Sequence, residues 1–201
     1  MNLYLKLKIW MGKNPGTVNS SKRFVAYLVD WFVGALFMTF PLCMIWMSQK
    51  HDLEAMSEIN LWMIQDGIST QMALVCALLA FACAIFYYVI IPWKIYPGQT
   101  LGKRMMGFKI VKMDGSKLGL GTLIIREVLG IMILEGAFYN ISGLLRDALS
   151  ILTHLNFTGI LMYVGLAFSI VSAALCMLTA SHRMIHDYLA KTSVDLCTNN
   201  K

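Results

Sequence analysis

Four long apolar runs, separated by loops that alternate between rich and poor in lysine and arginine, constrain this chain more than any other feature. The runs cover roughly residues 22–47, 70–93, 123–145 and 157–180. Each supplies the ~20 residues that cross ~30 Å of hydrocarbon at 1.5 Å per residue. Ahead of the first run stand Lys6, Lys8, Lys13, Lys22 and Arg23. The next loop has Lys50 among Asp52, Glu54, Glu58 and Asp66. The loop over residues 94–122 holds Lys94, Lys103, Arg104, Lys109, Lys112 and Lys117. The following connector has Arg146, and the tail has Arg183, Lys191 and Lys201. Basic loops stay on the cytoplasmic side, so this alternation predicts four transmembrane helices with both termini cytoplasmic, in the cell membrane.

Composition excludes the soluble alternative. The 201 residues are 58% apolar and 14% charged, against about 25% charged in a soluble domain. So short a chain leaves too much surface per volume to hide that excess in one core, and lipid must cover it. The net charge of +6 does not point to nucleic acid, because the basic residues flank apolar runs. It points instead to topology and to anionic lipids at the cytoplasmic face. Cys43, Cys76, Cys83, Cys176 and Cys197 form no CxxC pair, so they read as buried thiols and no disulfide is expected. No small-residue cleavage site follows the first run, which contains Asp30. That run is expected to stay as a membrane helix rather than leave as a signal peptide.

The fold class is therefore an all-α integral membrane protein with a small cytoplasmic β-element. A basic amino-terminal segment (residues 1–20) precedes a membrane domain (residues 21–197), and residues 198–201 form a tail. Residues 1–10 alternate Leu3, Leu5, Leu7 and Ile9 with Lys6 and Lys8, which fits a strand or an interfacial segment. Apolar residues at helical spacing over 53–63 predict a helix on the outer surface, and residues 144–155 predict another. In the cytoplasmic loop, Gly98-Gln99-Thr100-Leu101-Gly102-Lys103-Arg104 opens with a turn and leads into a short basic helix. Residues 108–113 read as a strand, Asp114-Gly115 as a hairpin turn, and residues 116–120 as the return strand. Residues 192–196 are expected to add a third strand, since a lone ribbon is marginal in water.

Charged residues inside the runs are the candidates for chemistry. Seven helical residues turn about 700°, which puts Arg23 and Asp30 on one face about 10 Å apart along the axis. A carboxylate at that depth costs about 2.5–3.5 kcal/mol and needs a partner. Arg126, at the start of the third run, is the expected one. Arg23, Asp30, Arg126 and Asp187 are expected to converge near the cytoplasmic boundary. Glu135 falls near mid-membrane, and with Asp30 it forms a candidate ion or proton site; Glu127 lies one turn from the cytoplasmic end, within reach of water. His182 and His186 stand at i, i+4 without a third ligand, so no metal site is assigned. Asp187 is expected to accept from Arg23, Arg104 or backbone donors.

These residues carry a resemblance. Arg23 and Asp30, in Lys-Arg-Phe-Val-Ala-Tyr-Leu-Val-Asp, together with Asp187, in His-Asp-Tyr-Leu-Ala-Lys-Thr-Ser-Val, resemble the arginine and two aspartates that give the RDD family its name. The loop motif Gly98, Gln99, Thr100, Gly102, Lys103 and Arg104, the later Asp114-Gly115, and Arg126 are similar to that family's middle segment. The similarity runs from Arg23 to Val194. The extension before Ser20 is outside it, and Glu135 is not one of its hallmarks. The resemblance implies a bacterial-type membrane protein, suggested to move ligands that are not identified.

Two functions follow as expectations. The first is an accessory or scaffold subunit of a larger membrane complex or homo-oligomer. The alternative is a small transporter, with cation/proton exchange through Asp30 and Glu135. The sequence has no nucleophile elbow, metal-ligand cluster, phosphate loop or redox cysteine pair, so neither an enzyme nor a cofactor is expected.

Overall fold

The computed structural model describes residues 18–50 and 69–197. The expectations for residues 1–10 and 53–63 lie outside them. Helix α1 spans Ser20–Lys50. Helix α2 spans Thr70–Ile85 and continues in the wider π form over Phe86–Ile95. A short α3 (Leu101–Met105) leads into strand β1 (Phe108–Lys112). Helix α4 (Leu120–Leu123) continues as a π segment over Ile124–Leu134. A 3₁₀ turn (Gly136–Phe138) follows, then α5 (Asn140–Thr153), α6 (Phe157–Leu178), α7 (Ile185–Leu189) and strand β2 (Thr192–Leu196). Among the described residues three helices are long and apolar enough to cross a membrane: Ser20–Gln49, Thr70–Ile95 and Phe157–Leu178.

Small residues set the closest packing. Ala73, Cys76, Ala77, Ala80 and Ala84 recur along one stripe of α2 and are buried. They let α2 approach α1 at Met38, Leu42 and Trp46, and Ile141 and Ile151 of α5 complete this cluster. In lipid, where apolar side chains gain little by leaving the solvent, such close van der Waals contact drives helix association.

The third expected helix is not continuous, which corrects the sequence reading. The chain is helical up to Leu134, breaks at Glu135–Tyr139 and resumes as α5. Glu135 supplies the reason, because its carboxylate turns away to cap α7. The groups freed by the break find partners: Ser169 donates to the Glu135 carbonyl at 2.6 Å, and Arg146 to that of Gly136 at 3.0 Å. Gly136 is required here, since a Cβ would strike Ser142. Irregular backbone is tolerated among membrane helices only when it is buried and bonded in this way. The surface helix expected over residues 144–155 falls within α5 as far as Thr153, where that helix ends.

The expected hairpin is also corrected. Asp114-Gly115 does form a turn, but residues 116–119 form no strand. Asp114 Oδ1 instead accepts from the Ser116 N–H and hydroxyl, and the chain runs on into α4. β1 pairs antiparallel with β2, in the register Phe108↔Leu196, Ile110↔Val194 and Lys112↔Thr192. The ribbon holds because Phe108, Ile110 and Val194 bury against Val18, Ala26, Val89 and Leu123 at the helix ends. A two-stranded ribbon without such a face would be marginal.

Candidate functional site

Asp30 is 3% exposed, and donors surround it. Its Oδ1 accepts from the Tyr87 hydroxyl at 2.7 Å and the Gly102 N–H at 2.8 Å. Its Oδ2 accepts from Thr100 at 2.5 Å and Lys103 at 3.3 Å. Two local features produce this arrangement. The π turn, wider than an α turn, brings the consecutive residues Tyr87 and Tyr88 both onto Asp30, with the Tyr88 hydroxyl on its carbonyl at 2.8 Å. Gly102 lets α3 lie against α1, since a Cβ there would meet the Ala26 carbonyl and the Asp30 carboxyl group. The expected Arg126 partner is corrected to Lys103. Arg126 is committed instead to Asp187 and Glu127.

Asp187 forms the second centre and is completely buried. Arg23 Nη2 reaches its Oδ2 at 2.6 Å, and Arg126 Nη2 reaches its Oδ1 at 3.1 Å. The Met184 N–H and the Thr192 hydroxyl add bonds at 3.2 and 3.3 Å. Burial raises the carboxyl pKa, but Arg23 first and Arg126 next outweigh it, holding Asp187 well below the usual carboxylate range. Arg104, an expected donor, instead stacks on Tyr96 at 3.9 Å. The four motif residues thus divide: Arg23, Arg126 and Asp187 meet, while Asp30 binds the loop. His182 and His186 do not share a helix, because α7 begins at Ile185 and His182 has a left-handed backbone (φ 49°).

Glu135 joins the Asp187 centre from the helix break. It accepts from the His186 N–H at 2.7 Å and from His186 Nδ1 at 2.9 Å. Gly130 makes room, since a Cβ there would meet His186. Glu127, expected within reach of water, is 1% exposed and takes Arg126 Nη1. The correction follows from the π segment, which turns consecutive Arg126 and Glu127 both inward.

The remaining loop residues position these centres. Gly98 adopts φ 77°, and its carbonyl accepts from Ile110 N–H at 2.8 Å, joining loop to strand. Gln99 Nε2 donates to the Phe108 carbonyl at 2.9 Å. Asp114 and Gly115 (φ 72°) make an exposed turn away from both centres.

Between the two centres lies a cavity of about 730 Å³ with largely apolar walls. Its lining includes Tyr27 and Phe24 of α1, Tyr88, and Ser169 and Ala173 of α6. Asp30, Glu127 and Glu135 reach it as well. The sequence singles out Thr100 within the loop motif and His186 only as half of an unassigned histidine pair, but not Tyr87, Tyr88 or Tyr139. A signal for the tyrosines existed, since a hydroxyl inside an apolar run needs a polar partner.

The sequence model of the RDD family matches residues 17–191. The chain belongs to the RDD family. No curated protein and no solved structure matches it. With its long apolar helices, this RDD protein is a multi-pass membrane protein. The arginine and two aspartates of the RDD motif serve two separate tasks: Asp30 fastens the loop to α1, and Arg23 with Asp187 fastens α1 to the tail.

Proposed function

We propose that this RDD protein handles a small ligand within the membrane, as a carrier that works as a homo-oligomer or within a larger complex. The cavity between α1 and α6 is the observation that carries this reading. Its volume of about 730 Å³ lies in the range of ~300–1,000 Å³ that suits small-molecule sites. The broken segment at Glu135 borders it, and discontinuous helices often form carrier sites. In this reading both termini are cytoplasmic, and α4 with α5 makes the fourth crossing of the cell membrane as a broken helix. Asp30 is an anchor, not the exchanging group, because four donors already hold it.

The scaffold reading draws support from a different observation. The Arg23–Asp187–Arg126 set is fully paired and joins three chain segments, as a structural lock would. Proteoliposomes with an internal pH dye, challenged with gradients of alkali and organic cations, separate the two. A carrier gives solute-dependent signal that Ala173→Trp, which fills the cavity, abolishes while the protein stays folded. A scaffold gives no signal with any solute and copurifies from native membranes with a stoichiometric partner.

A further inference from the structure

The charged side chains that border the cavity are balanced and already engaged. In its lining Arg23, Lys103 and Arg126 stand against Asp30, Glu127 and Glu135. Lys103 holds Asp30, Arg126 holds Glu127 and Asp187, Arg23 holds Asp187, and Glu135 takes the His186 N–H. Asp187 and the buried Arg183, which bonds its carbonyl at 3.0 Å, keep the tally even. A charged ligand would leave water for an apolar space with no free counter-charge, which burial penalises heavily. An uncharged ligand meets no such penalty.

The mouth of the cavity faces sideways. α1 and α6 are tied at one end, where the Ser20 hydroxyl donates to the Cys176 carbonyl at 3.1 Å and Arg23 Nη1 to the His182 carbonyl at 2.6 Å. Beside this tie Phe24, Phe138 and Met177 line the cavity, yet they are 60%, 58% and 71% exposed. Residues that do both form a rim. Phe24 continues into exposed Leu28 and Phe32 at i+4 and i+8, a stripe along a helix long and apolar enough to cross the membrane. The rim therefore faces hydrocarbon.

Deeper in, Tyr139 offers a polar contact. Its ring packs edge-to-face with Tyr27 at 5.2 Å and with Tyr88 at 6.2 Å, and all three line the cavity. The Tyr27 and Tyr88 hydroxyls donate to the Phe138 and Asp30 carbonyls, whereas that of Tyr139 bonds none of the described residues. A tyrosine hydroxyl among apolar walls normally has a partner, and a ligand can supply it. Ordinary phospholipids do not, because their ester carbonyls stay at the interface. Tyr139 packs on Tyr27, about 10 Å along α1 from Ser20.

We propose that the cavity binds an uncharged lipophile bearing a hydrogen-bond acceptor, such as a ketone or ester carbonyl. It enters from the bilayer between Phe24 and Met177 and sets its acceptor on the Tyr139 hydroxyl. This names a ligand class for the site and rests on the ligand-handling reading above.

The test photolabels the full chain in nanodiscs with methyl laurate that carries a diazirine in mid-chain, and maps the adducts by mass spectrometry. Adducts at Ala173 in the cavity should exceed those at Phe32 and Leu36 on the lipid face by at least about ten-fold. Unlabelled methyl laurate should compete at least about ten-fold better than laurate or dodecyltrimethylammonium, which share its chain but carry a charge. It should compete several-fold better than tridecane, which has no acceptor. Tyr139→Phe should remove that advantage over tridecane and leave the folded yield unchanged, since the hydroxyl holds nothing else among the described residues. Adducts spread evenly over the lipid face overturn the proposal, because the cavity then takes only bulk lipid. Equal competition by a charged analogue, or by tridecane, also overturns it. The competitor series on the wild-type chain needs no variant, so it holds even if Tyr139→Phe fails to fold. Solute flux without cavity labelling refutes this proposal alone, and cavity labelling without flux of any solute refutes the carrier reading alone.

Discussion

Asp187 and Asp30 are both buried carboxylates of the RDD motif, yet they are held in opposite ways. Asp187 lies between two guanidinium groups that come from α1 and from the π segment after α4. Asp30 takes mostly neutral donors, Tyr87, Thr100 and the Gly102 N–H, with Lys103 as its one cation. The Lys103 side chain is 12% exposed, so its long stem can carry the charge toward water if the carboxylate is lost. Arg126, at 2%, has no such escape. A neutral side chain at position 187 therefore leaves buried Arg23 without a carboxylate and Arg126 with Glu127 alone, while one at position 30 mainly unfastens a loop.

The largest effect is expected from Asp187→Asn. Removing one partner of a buried pair typically costs about 3–5 kcal/mol, so this variant should lose most of its folded yield in detergent, read by size-exclusion profile and melting temperature. Survival within a few degrees of wild type would break the comparison. Mild acid should not reproduce the loss. Asp187 is held well below 3.8, so its contribution is complete above that value and disappears only far below it.

Asp30→Asn should cost less, about 1.5–3 kcal/mol, the worth of hydrogen bonds to a charged group. Gly102→Ala should cost about 1–3 kcal/mol by overpacking α3 against the Ala26 carbonyl. Because both act on one contact, the double variant should fall short of their sum. Additive melting shifts would show that the loop is not fastened through Asp30.

The smallest effect belongs to the exposed turn. Hydrogen bonds from the Ser116 hydroxyl and N–H, then Lys112, lower the Asp114 pKa from 3.8 to about 2. A depressed folded pKa means that this contribution is present above 3.8 and lost as pH falls through about 2. Ser116→Ala should move the Asp114 titration, followed by NMR, toward 3.8 while leaving the melting temperature unchanged. An unmoved titration would remove the turn geometry described here.

Much of this was legible in the sequence, for identifiable reasons. The long spans were visible because hydrocarbon thickness fixes their length, and α1, α2 and α6 fall where the apolar runs lie. Arg23, Asp30, Arg126 and Asp187 stood out because charge near lipid needs a partner. Which charge pairs with which was hidden, because it depends on the two π segments. Those segments shift register by a residue and turn Tyr87, Tyr88, Arg126 and Glu127 inward together. The break at Glu135 was hidden for a related reason: its cause, the N–H and ring of His186, lies 51 residues away in the chain. The missing return strand at residues 116–120 shows local turn chemistry losing to a distant strand, β2, which brings Val194 into the core.

Double-mutant cycles on Arg126 test the division of the RDD motif into two centres most directly. Melting free energies would be measured for Arg126→Met, Asp187→Asn, Asp30→Asn and the two double variants. Contacting groups typically couple by 0.5–3 kcal/mol, and independent sites add to within about 0.5. Coupling of at least about 1.5 kcal/mol is expected between Arg126 and Asp187, and none beyond about 0.5 between Arg126 and Asp30. Strong coupling of Arg126 to Asp30, with little to Asp187, would contradict the account.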